Sequence, residues 1–154
     1  MFIDVNYLLG FGLPLSDEIS YEKMERAIST AENIVIKPRL GYKLYAEMIE
    51  NPSEYVTEVD GGVLVDGEDH FYVAGLKEAE AHIAFAILLA WNLNATSFGS
   101  VLKNDDYSSH ADEDRLRRTC MQHTEIGMAY LKEITDYHKV ENDRIYPNIC
   151  EELI

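Results

Sequence analysis

Basic side chains are scarce in this 154-residue sequence: 13 Lys and Arg stand against 28 Asp and Glu, a formal charge of −15. Each phosphate contact needs a cation, so that balance excludes a surface that wraps nucleic acid, though not one past which DNA slides without sticking. Cysteine is scarce too. Cys120 and Cys150 are too few for a disulfide framework, and Met1-Phe2-Ile3-Asp4 puts an acid where a secretory signal would be basic, so a reducing compartment is the default expectation. Long apolar runs are missing as well. The longest, residues 83–91, is about half of a bilayer crossing and follows Glu78, Glu80 and His82, which predicts a buried core helix and no membrane span.

What is present reads as one globular domain. Hydrophobic residues make up 47% and charged residues 27%, enough to bury a core. Over residues 16–36, Met24, Ala27, Ile28, Ala31, Ile34 and Val35 recur at helical spacing, with Asp17, Glu18 and Glu22 near the start, where the helix dipole favours acids. Pro38 predicts a stop near Lys37 and a new helix on the far side, with Leu40, Leu44, Tyr45, Met48 and Ile49 on one face and Asn51-Pro52 as its end. Residues 55–73 change to β-branched and aromatic side chains punctuated by Asp60-Gly61-Gly62 and Asp66-Gly67, which predicts a small β-ribbon. That stretch is acidic, with Glu54 just before it and Glu58, Asp60, Asp66, Glu68 and Asp69 within, and no Lys or Arg lies between Asn51 and Leu76. It is either a solvated hairpin or a negative surface aimed at a basic partner or at something to be repelled.

Helix three, about 76–93, has no polar face and is expected at the centre of the core, with Phe85, Leu88, Leu89 and Trp91 among its most buried residues. Residues 92–106 read as a loop containing Ser97-Phe98-Gly99-Ser100-Val101, and Ser109 with Asp112 has the form of a helix cap. A long helix over about 111–137 then carries a stripe of Leu116, Cys120, His123, Gly127, Leu131 and Ile134. Periodicity ends after His138. The expected architecture is therefore mainly α: a bundle of about four helices over residues 1–138, a β-ribbon insertion at 55–73, and an extended C-terminal arm at 139–154. The arm's Tyr146, Ile149, Leu153 and Ile154 are apolar anchors expected to dock on a neighbouring subunit; folding back on their own bundle is the alternative.

Arrangements that could carry chemistry fail on spacing. Cys120 and His123 lack the second pair that a structural zinc needs, and Glu78 with His82 is not the Glu-x-x-His of a di-metal bundle. No serine sits in a Gly-x-Ser-x-Gly turn and no glycine-rich phosphate loop occurs. The expectation is no catalysis, no cofactor and no stoichiometric metal. Arg115, Arg117 and Arg118 form the main basic cluster, just after Asp112, Glu113 and Asp114; pairing within the helix is the plain reading, and Arg115 and Arg118 are the candidates for contact with an acidic neighbour.

As a set, Ile36-Lys37-Pro38 followed by Leu40-Gly41-Tyr42-Lys43-Leu44-Tyr45, the Ser97–Val101 loop, and the helix end Ala129-Tyr130-Leu131-Lys132-Glu133-Ile134 resemble small head–tail connector (adaptor) proteins of tailed bacteriophages, of the Bacteroidales-phage type. The similarity is loose and spans about residues 16–137. It implies a structural virion protein, assembled in the bacterial host cytoplasm, that forms a twelve-fold ring in the phage neck. The portal protein would sit above it and the tail or further ring proteins below, with DNA passing through unbound. Family members commonly clamp the portal or the adjacent subunit with a C-terminal segment, the position of 139–154 here. The chain departs from the smaller members in its acidic ribbon, which leaves open the surface that faces the channel. Two other classes remain: a small metal-binding or enzymatic helical bundle, and an acidic regulator that mimics DNA.

Overall fold

A computed structural model of the protein describes residues 1–94 and 113–140. Its centre is the antiparallel pair α6 (Leu76–Asn94) and α7 (Glu113–Tyr137). Because α6 is apolar all round, it is covered all round: residues 83–90 are fully buried, Phe85, Leu88 and Leu89 among them. Trp91 departs from the expectation, since it is only partly covered where α6 leaves the core and borders a surface groove. Helix α7 buries Leu116, Cys120, Gly127, Leu131 and Ile134 along the stripe its spacing predicts. At Gly127 a Cβ would meet Ile83 Cγ1 at 2.6 Å and the Ala79 carbonyl oxygen at 3.0 Å, so this glycine is what lets the two helices approach so closely.

The N-terminal half wraps this pair. Asp4 caps a short α1 (Val5–Gly10), its carboxylate accepting from the Tyr7 N–H at 2.8 Å; six residues are too few for sequence periodicity to announce. Helix α2 (Tyr21–Thr30) starts at Ser20, whose hydroxyl accepts from the Lys23 N–H, and not at Ser16. Ser16 instead accepts from the Glu18 N–H in the preceding turn, so Asp17 and Glu18 lie outside the helix. Nor does Pro38 stop the rod. The chain widens into a π-helical segment (Ala31–Ile36), where the Lys37 N–H donates to the Glu32 carbonyl, and continues as α3 (Lys37–Leu40) to Gly41. The wider winding shifts the carbonyls that a proline ring would strike in an α-helix, which is why the predicted break falls three residues late.

Helix α4 (Tyr42–Glu50) follows with Met48 buried and Leu44 and Tyr45 half-buried, but Leu40 falls on α3 and Ile49 is exposed, outside the expected face; it ends at Asn51 and passes through a 3₁₀ turn (Pro52–Glu54) into α5 (Val56–Asp60). The β-ribbon is thus shorter than expected. Residues 56–60 are helical despite Val56, Thr57 and Val59: the β preference of these residues depends on context, and the helical turn packs Val59 against the core and brings Glu58 to His138. Strands β1 (Gly62–Asp66) and β2 (Asp69–Val73) pair antiparallel from Gly62 opposite Val73 to Asp66 opposite Asp69. Gly61 and Gly75, both at positive φ, cross at the ribbon's base; a Cβ on Gly75 would lie 2.5 Å from the Gly61 nitrogen. Among the described residues the fold is mainly α with one two-stranded sheet. The expected 97–101 loop, the Ser109/Asp112 cap with a helix start at 111, and the arm from residue 141 lie outside the described residues.

Candidate functional site

Alternation along the ribbon sends Leu64, Phe71 and Val73 toward the bundle, where Leu64 and Val73 are buried and Phe71 packs edge-on against Tyr137 at 5.8 Å. Tyr137 also donates its hydroxyl to the Val65 carbonyl at 3.1 Å, and Glu133 accepts from the Ala74 N–H. These contacts fix the ribbon to the C-terminal end of α7. The face turned away should be polar if solvent were its only neighbour. It instead carries Val63 opposite Tyr72 and Val65 opposite His70, with Tyr72 79% and Val65 52% exposed. At its tip, Gly67 supplies the positive φ for the two-residue turn Gly67-Glu68, flanked by Asp66 and Asp69, and all three acids are exposed. An apolar face beside an acid-only tip is suited to contact with another macromolecule.

Of the five acids expected on one negative surface, the structure brings together Asp66, Glu68 and Asp69. Glu58 is withdrawn: it is buried on α5, with Oε1 3.0 Å from His138 Nε2. Asp60 ends α5 and pairs with Lys77. Arg115 and Arg118 lie exposed on the first turns of α7, where Arg118 Nε donates to the Asp114 carbonyl and Arg117 pairs with Glu113 at 3.0 Å. Tyr146, Ile149, Leu153 and Ile154 lie outside the described residues.

Two polar clusters, one half-buried and one buried, escape sequence reasoning. His82 on α6 and His123 on α7 stack with ring centroids 5.0 Å apart and their Nδ1 atoms 2.8 Å apart, so one ring donates and the other accepts. Phe11, Tyr130 and Phe85 enclose them edge-on. Burial lowers both imidazoles, and burial together with His82 brings His123 down to about 4. His82 is thus spent on His123 and not on Glu78, while the Cys120 sulfur sits 3.3 Å from the Ala86 carbonyl oxygen. Among the described residues, no three His, Cys, Asp or Glu side chains converge as metal ligands would.

The second cluster holds the N-terminal segment. Glu80 Oε2 accepts from the N–H groups of Phe2 and Ile3, both at 3.1 Å, while its Oε1 has no partner among the described residues. Nearby, Glu32 accepts from the Tyr45 hydroxyl and lies 3.0 Å from the Met1 amino nitrogen. Burial first and the Glu32 charge second push the Glu80 carboxyl up to about 8, and burial with the Glu32 bond pushes Tyr45 up to about 12. An acid at position 80 beside an apolar run was the one visible signal of this cluster.

The chain belongs to a family of unknown function, DUF6712, whose model matches residues 36–152, from the end of the π segment through the ribbon and the central helix pair. No curated protein and no solved structure matches it. No described helix is long and apolar enough to cross a membrane.

Proposed function

We propose that the chain is a structural subunit of a tailed-phage neck, a head–tail connector that assembles as a ring below the portal and extends the DNA channel toward the tail. The observation that carries this reading is the ribbon: large apolar side chains on the face turned away from its own bundle, next to a tip of acids alone. Burying an exposed valine or tyrosine is worth on the order of 1.5–3 kcal/mol, and a surface that leaves three of them in water gains that energy only on contact with a neighbour. The charge supports the same reading. A conduit for DNA is served by acids, since cations on its wall would bind phosphates and slow transit.

Negative-stain electron microscopy and native mass spectrometry of the purified chain, alone and mixed with its portal, test the proposal. Closed rings, or rings seated on the portal, are the expected result. A chain that stays monomeric in both conditions overturns it, and one that instead captures a basic DNA-binding protein as a 1:1 complex favours the DNA mimic.

A further inference from the structure

Cys120 lies fully buried on the apolar stripe of α7, its sulfur 3.3 Å from the Ala86 carbonyl oxygen. It is disulfide-bonded, and no cysteine among the described residues is free. The chain has two cysteines, so within one chain the partner is Cys150, which lies outside the described residues. Packing argues against Cys120 of a second copy: each sulfur is buried against its own α6, and a disulfide needs the two Cα atoms within about 7 Å.

The end of α7 allows the connection. The Val140 N–H donates to the Thr135 carbonyl at 2.9 Å and the Lys139 N–H to the Asp136 carbonyl at 3.1 Å, the paired bonds of a Schellman turn. Lys139, at φ +53°, takes the left-handed position there, which glycine usually fills, so the chain leaves the helix axis at this point. His138 anchors the turn, with Nε2 3.0 Å from Glu58 Oε1. From Tyr137 back to Cys120 is about 26 Å along α7 at 1.5 Å per residue. The ten residues from Val140 to Cys150 span up to about 33 Å when extended, so the reach suffices with little slack.

We propose that Cys120 and Cys150 form a reversible intrachain disulfide that ties the C-terminal segment to α7. The redox state of this one bond then decides whether the apolar anchors Tyr146, Ile149, Leu153 and Ile154 are kept on their own chain or released to a neighbour. The tie goes beyond the ring reading and does not depend on it. It closes by thiol–disulfide exchange with a small-molecule disulfide of the glutathione type. Burial of Cys120 assigns the first attack to Cys150, whose thiolate displaces one thiolate from the oxidant and leaves a mixed disulfide. Cys120 then gives up its proton, attacks the Cys150 sulfur and expels the second thiolate. Two protons and two electrons pass from the protein to the oxidant, which departs as two thiols; a dithiol reverses the sequence. A chain made in a reducing compartment therefore carries both thiols, and the tie forms where the surroundings become oxidising.

Two measurements on the full chain test this. An equal mixture of ¹⁴N- and ¹⁵N-labelled protein is equilibrated with oxidised glutathione, denatured without reductant, alkylated and digested; mass spectrometry should find the Cys120 and Cys150 peptides joined, both of one isotope. Limited trypsin then reads the tie. Cleavage after Arg144 should be on the order of tenfold slower in the oxidised protein than in the reduced one, since a tethered segment reaches the protease only by local opening. The variant Cys150→Ser should keep wild-type circular dichroism and be cut at the reduced rate with or without oxidant. A Cys120 that is alkylated after oxidation, or a joined pair of mixed isotopes, overturns the intrachain bond. Equal cleavage of oxidised and reduced wild type overturns the tie. Ring formation is scored separately by electron microscopy, so either failure leaves the ring reading where it stood, and a monomeric chain that shows the joined peptides keeps the tie and loses the ring.

Discussion

Glu80 and His82 stand two residues apart on α6 and respond to pH in opposite senses. Glu80 is fully buried and His82 half-buried, and burial penalises the charged form of each; for a carboxylic acid that raises the pKa and for an imidazole it lowers it. Glu80 rises to about 8, and His82 falls along with its partner His123, which reaches about 4. The signs follow. Glu80 is raised above its unfolded value near 4.5, so its contribution is complete below that pH and is lost as pH climbs through about 8. His123 is depressed below 6.5, so its contribution is complete above that value and is lost as pH falls toward 4. One desolvated helix thus limits the fold from both sides, and its stability is expected to be greatest in the mildly acidic range between them.

The comparison breaks most completely if the burial that creates it is removed. Phe85→Ala deletes a fully buried ring that packs edge-on against His123 at 4.7 Å. Urea unfolding should register a loss of roughly 3–5 kcal/mol, and NMR titration should find the His123 pKa moving back up as water enters. A loss under about 0.5 kcal/mol would mean that the ring is not at the centre of the core. Next in size is Glu80→Gln, which keeps an acceptor for the Phe2 and Ile3 N–H groups but cannot ionise. Near pH 5 it should match the wild type, and by pH 9 it should be more stable by roughly 2–4 kcal/mol, because the alkaline limb owed to Glu80 is gone. Parallel stability curves for the two proteins would rule out this carboxyl as the source. Smaller again is Tyr45→Phe, which removes the hydroxyl donor to the buried Glu32 and should cost about 1–3 kcal/mol by thermal denaturation, with an effect that grows as pH rises and Glu80 ionises nearby.

These clusters also mark where the sequence stops being readable. Helix α6 is legible because nine consecutive apolar residues leave no polar face to turn to solvent, and α7 because its stripe recurs for five turns. The ribbon turn is legible in Asp66-Gly67. By contrast, His82 and His123 are 41 residues apart, and Glu80 finds its donors 77 and 78 residues away on backbone groups that any sequence carries. Spacing rules look along one helix face, so they pair His82 with Glu78 and His123 with Cys120, when the partner sits on the facing helix. Pro38 fails as a stop signal for a different reason: the π winding that accommodates it has no composition signature. The apolar outer face of the ribbon was written in Val63, Val65 and Tyr72, but an unknown register hid which side they share until the pairing with Tyr72 and His70 was set.

The smallest expected effect isolates the histidine half. His82→Phe/His123→Phe replaces a stacked, hydrogen-bonded imidazole pair by two apolar rings in a pocket already built by Phe11, Phe85 and Tyr130. Removing both partners leaves no buried nitrogen without its bond, so stability at pH 7.5 should stay within about 1 kcal/mol of the wild type. His123→Ala alone should be worse, since it leaves a cavity and strips His82 Nδ1 of its partner. Between pH 6.5 and 4 the order should reverse: the wild type must bind protons on unfolding and loses stability, while the double variant has none to bind at these positions and its curve runs flatter. Denaturant midpoints collected every half unit across that range decide the matter. An acid limb of unchanged slope in the double variant would place the sensitivity in the carboxylates, and the contrast between the two ends of the pH curve would then not trace to positions 80 and 82.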